Sequence, residues 1–192
     1  MGWHDVSFLV VDFETSSLDP RRARPLSVGW VPVRGGRVVL ADADYRPIHP
    51  DGQVSTESMG LHGLLPEDLR DAPSAAAVGL ELGRALDGHL LVAHGARMEV
   101  GMLRQCGIRV GRGDVVDTIR LARRLDRLDG NRIDADVSLG AAAVRAGVPV
   151  LRPHHAFGGA LTTAGLFLAL ATRMERHGAA TRGGLVRPGR VH

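Results

Sequence analysis

Two short apolar runs constrain the fold of this chain more than anything else in it: SFLVVD at residues 7–12 and HLLVA at residues 89–93. Each is too short for an ordinary helix and rich in β-forming residues, so each reads as a buried strand. Leu26 to Val33 reads as another strand, with Pro32 marking an edge or an end. Gly35–Gly36 then turns the chain into a hairpin partner at Arg37 to Leu40. Three strands in meander order, followed by strands alternating with helices, predict one α/β domain. Its central sheet is mixed, a three-stranded antiparallel meander plus parallel strands, and is flanked by helices.

The helices are placed by their start and stop signals. Ala72 to Leu86 reads as a helix with Pro73 and Ser74 at its start and Gly88 after its end, and Arg97 to Cys106 stops at Gly107. Asp114 to Asp117 reads as a short strand and Thr118 to Leu128 as a basic amphipathic helix. Ser138 caps a helix over Leu139 to Ala146, and the last long helix is expected from about Ala160 to His177. Pro47 to Pro66 reads as irregular. The domain is expected to span residues 1–178, with the Gly- and Arg-rich residues 179–192 as a flexible tail.

Composition narrows the setting. A length of 192 residues suits one domain, and 44% hydrophobic with 23% charged residues is globular. No apolar stretch reaches the roughly 18 residues of a membrane span. The opening MGWHDVSFLV lacks the basic leader and apolar core of a signal peptide. A lone cysteine, Cys106, forms no internal disulfide and fits a reducing cytoplasm. All 24 basic residues are arginine, a residue suited to bidentate phosphate contact. They cluster at Arg21–Arg22–Arg24, Arg120–Arg123–Arg124–Arg127 and Arg182–Arg187–Arg190, where a solvated face is the plainer reading.

Three places could carry chemistry. Asp12 and Glu14 alternate onto one face at the end of the first strand. Paired carboxylates there either sit in solvent or share a hard cation such as Mg²⁺ or Mn²⁺. Glu99 follows His94 across the turn from the HLLVA strand into a helix, where it serves either the helix dipole or a ligand at the strand ends. His154 and His155 precede the last helix, as surface residues or as a base that titrates near neutrality.

The order and spacing of these segments resemble the DnaQ-like (DEDDh) 3′–5′ exonuclease family, with its ribonuclease H-like fold. That family includes the proofreading epsilon subunit of bacterial DNA polymerase III. LVVDFETSSLDP resembles the first motif, LHGLLPEDLRDAP the connecting segment and LVAHGARMEVGML the second motif; DTIRLARRL matches the segment after it, and HHAFGGALTTAGLFLAL resembles the last motif. The resemblance implies a two-metal phosphodiesterase using Mg²⁺ or Mn²⁺ on a 3′ end of single-stranded DNA, RNA or a short oligonucleotide. It makes Asp12, Glu14 and Glu99 metal-holding carboxylates and His154 the general base. It also places Phe13, Thr15, His94 and Met98 against the terminal nucleotide, and it is compatible with a polymerase or other protein partner.

The sequence departs from that pattern at three positions. Glu99 stands where the family has aspartate, Gly95 where it has asparagine, and Gly159 where it has its fourth carboxylate. Two functions follow. One is a metal-dependent 3′–5′ exonuclease; the other is a catalytically degenerate module that binds a nucleotide, nucleic acid or protein. The exonuclease reading expects the carboxylates of Asp12, Glu14 and Glu99 to converge, with His154 facing them.

Overall fold

A computed structural model describes residues 2–17, 19, 21–50, 63–131 and 136–186. The strands are β1 (Phe8–Thr15), β2 (Pro25–Arg34), β3 (Arg37–Val38), β4 (Asp44–Pro47), β5 (Leu90–Ala93) and β6 (Val115–Asp117). The helices are α1 (Pro66–Arg70), α2 (Ala75–Leu86), α3 (Arg97–Gln105), α4 (Thr118–Leu128), α5 (Leu139–Arg145), α6 (Ala156–Glu175) and α7 (Arg182–Val186).

The sheet runs β3-β2-β1-β5-β6, with β4 also paired to β2. β1 and β2 are antiparallel, setting Asp12 opposite Gly29 and Glu14 opposite Ser27. β1, β5 and β6 are parallel, which brings Val10, Val92 and Val116 into line across the sheet. This is the ribonuclease H-like architecture, a mixed sheet between helical layers.

Side-chain alternation along β1 sorts its residues into two cores. Phe8 and Val10 join Val92, Val116, Phe167 and Ala164 on the α6 side. Leu9, Val11 and Phe13 join Val78, Leu82, Met102 and Leu103 on the side of α2 and α3. Asp12 and Glu14 continue the parity of Phe8 and Val10, so they emerge on the α6 side as the hydrophobic run ends. At that point α6 presses close to the sheet: a Cβ on Gly29 would lie 2.6 Å from Ala156 O and 2.5 Å from Phe157 Cα. Only glycine lets the start of α6 approach the strand that pairs with Asp12.

Among the described residues α6 alone has the length and hydropathy of a membrane span. Its Ala160, Thr163, Ala164, Phe167, Ala171 and Met174 are buried, so its apolar surface serves the core.

Several expectations change. β3 ends at Val38 rather than Leu40, and the longer edge partner of β2 is β4, whose polar sequence DYRP hid it. α1 begins at Pro66, where the stretch read as irregular ends, and residues 61 and 62 of the expected connecting motif lie outside the described residues. α6 starts at Ala156, four residues early, because His155 caps it. The domain does not stop at Gly178. Trp3 N donates to Ala180 O at 3.1 Å, and Leu185 of α7 is buried in the α6-side core. The expected tail is therefore packed domain as far as Val186.

Candidate active site

The site begins where β1 runs out of apolar residues. Asp12 and Glu14 are partly buried toward the C-terminal end of β1, the central strand. Burial raises the Asp12 pKa well above the usual carboxylate range, and the Glu14 charge raises it further. Burial alone lifts Glu14 from 4.5 to about 7.

Glu99 stands in the first turn of α3 and is only 5% exposed. Burial raises its pKa well above the usual range, with the charges of Asp12 and Asp117 adding to the effect. Its Oε2 is buried with no hydrogen-bond partner. A buried carboxylate oxygen without a donor is costly unless a proton or a cation satisfies it. Asp12 thus lies within electrostatic reach of both Glu14 and Glu99. The three do not form a closed ligand set, since no group of three His, Cys, Asp or Glu side chains is poised around a metal among the described residues. The donors are all oxygens, their proton affinity is raised, and one buried oxygen is unsatisfied. That chemistry fits a hard divalent cation.

Gly159, in the first turn of α6, lies directly beneath Asp12. A Cβ built there would be 2.7 Å from Asp12 Cγ and would collide with Oδ2. The carboxylate of Asp12 occupies the room that a side chain at residue 159 would need.

The two histidines divide. His154 is exposed and sits in the left-handed region at φ 59°, next but one to Arg152 at φ 37°. Two such non-glycine residues so close together mark a strained turn. His155 is half-buried; its Nδ1 accepts a hydrogen bond from Phe157 N at 3.2 Å, and its ring stacks on Tyr45 with centroids 4.6 Å apart. Burial lowers its pKa, and the Arg152 charge lowers it further. His155 is thus committed to capping α6, which leaves His154 as the free imidazole of the pair.

The remaining sequence candidates take different places. His94 uses both ring nitrogens internally: Nε2 contacts Val137 O at 2.7 Å and Nδ1 contacts Thr118 Oγ1 at 2.8 Å. Burial lowers its pKa, and Nε2 donates to the Val137 carbonyl. It ties the end of β5 to α4 and to the approach of α5. Phe13 is a core residue, Met98 packs at the edge of the same core, and the Thr15 hydroxyl donates to Ser17 O at 2.9 Å.

One residue went unmarked by the sequence. The carboxylate of Asp117 accepts from Gly95 N at 3.2 Å, Ala96 N at 3.3 Å and Ile119 N at 3.0 Å. It caps α4 and fixes the turn that delivers Glu99. An aspartate closing a strand and followed by Thr118 and a helix was the available signal.

Residues 9–167 match the family described as exonuclease. The chain belongs to that family. The exonuclease domain is 30% identical over 178 residues to a PolC-type DNA polymerase III of Thermotoga maritima, covering 91% of this chain and 12% of that protein. It is 27% identical to a DNA polymerase III subunit epsilon-like protein of Rhodobacter capsulatus, covering 97% of this chain and 27% of that one. The chain therefore spans a minor part of these relatives. Solved structures share the fold of the exonuclease domain. Exonuclease X in complex with 5′ overhanging duplex DNA superposes with a TM-score of 0.71 at 22% identity, covering 93% of this chain and 97% of that one. Exonuclease I of E. coli in complex with a dT13 oligonucleotide gives 0.73 at 15% identity, covering 90% and 42%.

Proposed function

We propose that this exonuclease-family domain is a metal-dependent 3′–5′ exonuclease acting on the 3′ end of single-stranded DNA, RNA or a short oligonucleotide. The observation that carries the reading is the unpartnered, buried Oε2 of Glu99 within electrostatic reach of Asp12. Asp12, Glu14 and Glu99 would hold Mg²⁺ or Mn²⁺. The chemistry such ions supply is neutralisation of charge on the scissile phosphate and easier ionisation of water.

The chain's own groups do the rest. Apolar packing of Phe13 fixes the backbone of residues 13–15 beside the carboxylates, where it can position the terminal nucleotide. His154, exposed and unencumbered, accepts the proton of the attacking water at an imidazole nitrogen. The names of the relatives support a polymerase partner. The buried, lone Cys106 suits the cytoplasm.

Gly159 favours a second reading, a degenerate module that binds nucleotide, nucleic acid or protein without cutting, because the fourth carboxylate is absent. A nuclease assay decides between them. Labelled single strands incubated with Mg²⁺ or Mn²⁺ should shorten from the 3′ end, and Asp12→Ala should abolish the shortening. Strands that stay intact in both metals, yet are retained by the protein, would favour the binding module.

A further inference from the structure

The face of α3 opposite Glu99 borders a cavity of about 720 Å³ between α3, α4, β6 and α7. Six arginines line it: Arg21, Arg97, Arg104, Arg112, Arg120 and Arg124. Among the described residues, Asp117 is the only acid on its wall. That aspartate already accepts three backbone N–H groups and stands 3.8 Å from Arg120 Nε. Arg124 donates to Gly184 O and so holds α7 against the wall. Arg21, Arg97, Arg104 and Arg112 are exposed and make no ion pair among the described residues.

These cations do not behave as a dispersed solvated face. They surround a concavity with an apolar floor that includes Val100, Val110, Leu121 and Leu185. Guanidinium groups gathered around one hollow repel each other, and a polyanion relieves that repulsion. The planes of arginine and the apolar floor also suit unpaired bases. Arg97 and Arg104 lie two helical turns apart, about 10 Å. That separation lets the two guanidinium groups meet different phosphates of one strand.

We propose that this arginine-lined hollow is a second nucleic-acid site that holds the phosphate backbone of a single strand beyond its terminal nucleotide. The proposal rests on the exonuclease reading only for the placement of the 3′ end. Ala96 on the rim belongs to the turn that carries Glu99, and Asp117 on the rim holds that turn, so the hollow adjoins the segment that positions Glu99.

The test separates binding from cutting. Anisotropy of a labelled oligothymidylate of about 16 nucleotides is measured in EDTA over a range of salt, for wild type and for Arg104→Ala/Arg112→Ala. Each lost phosphate contact lowers the salt slope by about 0.7 for single strands, so the double variant should lose about 1.4 in slope and about tenfold in affinity. Dinucleotide hydrolysis in Mn²⁺, which draws on the carboxylates, His154 and the backbone of residues 13–15 but not on the hollow, should be unchanged. An unchanged slope and affinity overturns the proposal, including in favour of an acidic peptide on the open edge of β6. Because the binding arm uses EDTA, absence of all hydrolysis would sink the exonuclease reading and leave this result standing. Should the variant melt early, photocrosslinking of the same strand to wild type replaces it: adducts within residues 97–124, at Arg21 or within residues 184–186 are expected, and adducts confined elsewhere overturn the proposal.

Discussion

The carboxylate of Asp12 lies in the space that a side chain at Gly159 would occupy. The two residues come from opposite ends of the chain and meet where β1 emerges beside the first turn of α6. An acid at residue 159 therefore cannot simply be added to the site. It has to push Asp12 aside, and it adds a charge to carboxylates that already resist ionisation.

Gly159→Asp should consequently lower stability in EDTA by about 1–3 kcal/mol, through crowding and charge repulsion. Mn²⁺ should reverse that loss and bind more tightly than to wild type, since the added carboxylate contributes charge to a hard-cation site. Thermal melts with and without Mn²⁺ measure both effects. A variant as stable as wild type in EDTA, with no gain from metal, would rule out the crowding seen at Asp12.

The metal-free protein should lose stability as pH rises. Glu14 has a folded pKa of about 7 against an ordinary 4.5. The folded state therefore holds its proton more tightly than the unfolded chain does. Stability from this group is complete below pH 4.5 and is lost as pH climbs through 7, by up to about 3 kcal/mol. Asp12 and Glu99 are shifted in the same direction. Melting temperatures in EDTA should fall between pH 5 and pH 8, and Mn²⁺ should raise them more at pH 8. Glu99→Gln removes one of the coupled charges and should flatten the curve. A flat wild-type profile would contradict the raised pKa values.

Asp117→Ala should cost about 2–3 kcal/mol, because it removes the cap of α4 and strands the N–H groups of Gly95 and Ala96. The same change loosens the turn that carries Glu99. The exonuclease reading then predicts a larger loss in kcat than in KM, with partial rescue in Asp117→Asn, whose single amide oxygen can still accept from Gly95 and Ile119. Steady-state kinetics beside chemical denaturation test this. Equal losses for the two variants would remove the positioning role.

Residues whose own character dictates their place were legible in the sequence. The apolar run of β1 ends in two acids of one parity, so both the strand and the shared face of Asp12 and Glu14 could be read. β4 was hidden because DYRP pairs with β2 at an edge and needs no apolar alternation. The packing of α7 was hidden because Leu185 is one buried side chain inside a Gly- and Arg-rich stretch. Asp117 and His94 act through partners on distant segments, and composition cannot show which backbone groups a side chain will meet. The displacement of a residue-159 side chain by Asp12 is likewise a tertiary event. Gly159 looks like a simple deletion until α6 is docked on β1.

The strained turn before α6 provides the sharpest separation of roles. His154 is exposed and accepts no structural duty, whereas His155 caps α6 through Phe157 N and stacks on Tyr45. His154→Ala should leave the melting temperature nearly unchanged; replacement by Gly, which suits a φ of 59°, should raise it. If the exposed imidazole is the base, both changes should cut hydrolysis about 100-fold or more, within the usual range for general-base catalysis. His155→Ala should instead cost about 1–2 kcal/mol by removing the cap and the ring contact, and should reduce activity only as far as α6 frays. Pairing a denaturation curve with a rate for each variant gives two independent axes. His154 belongs on the rate axis and His155 on the stability axis, so an exchange of the two phenotypes would make His155 the base and move the catalytic register by one residue.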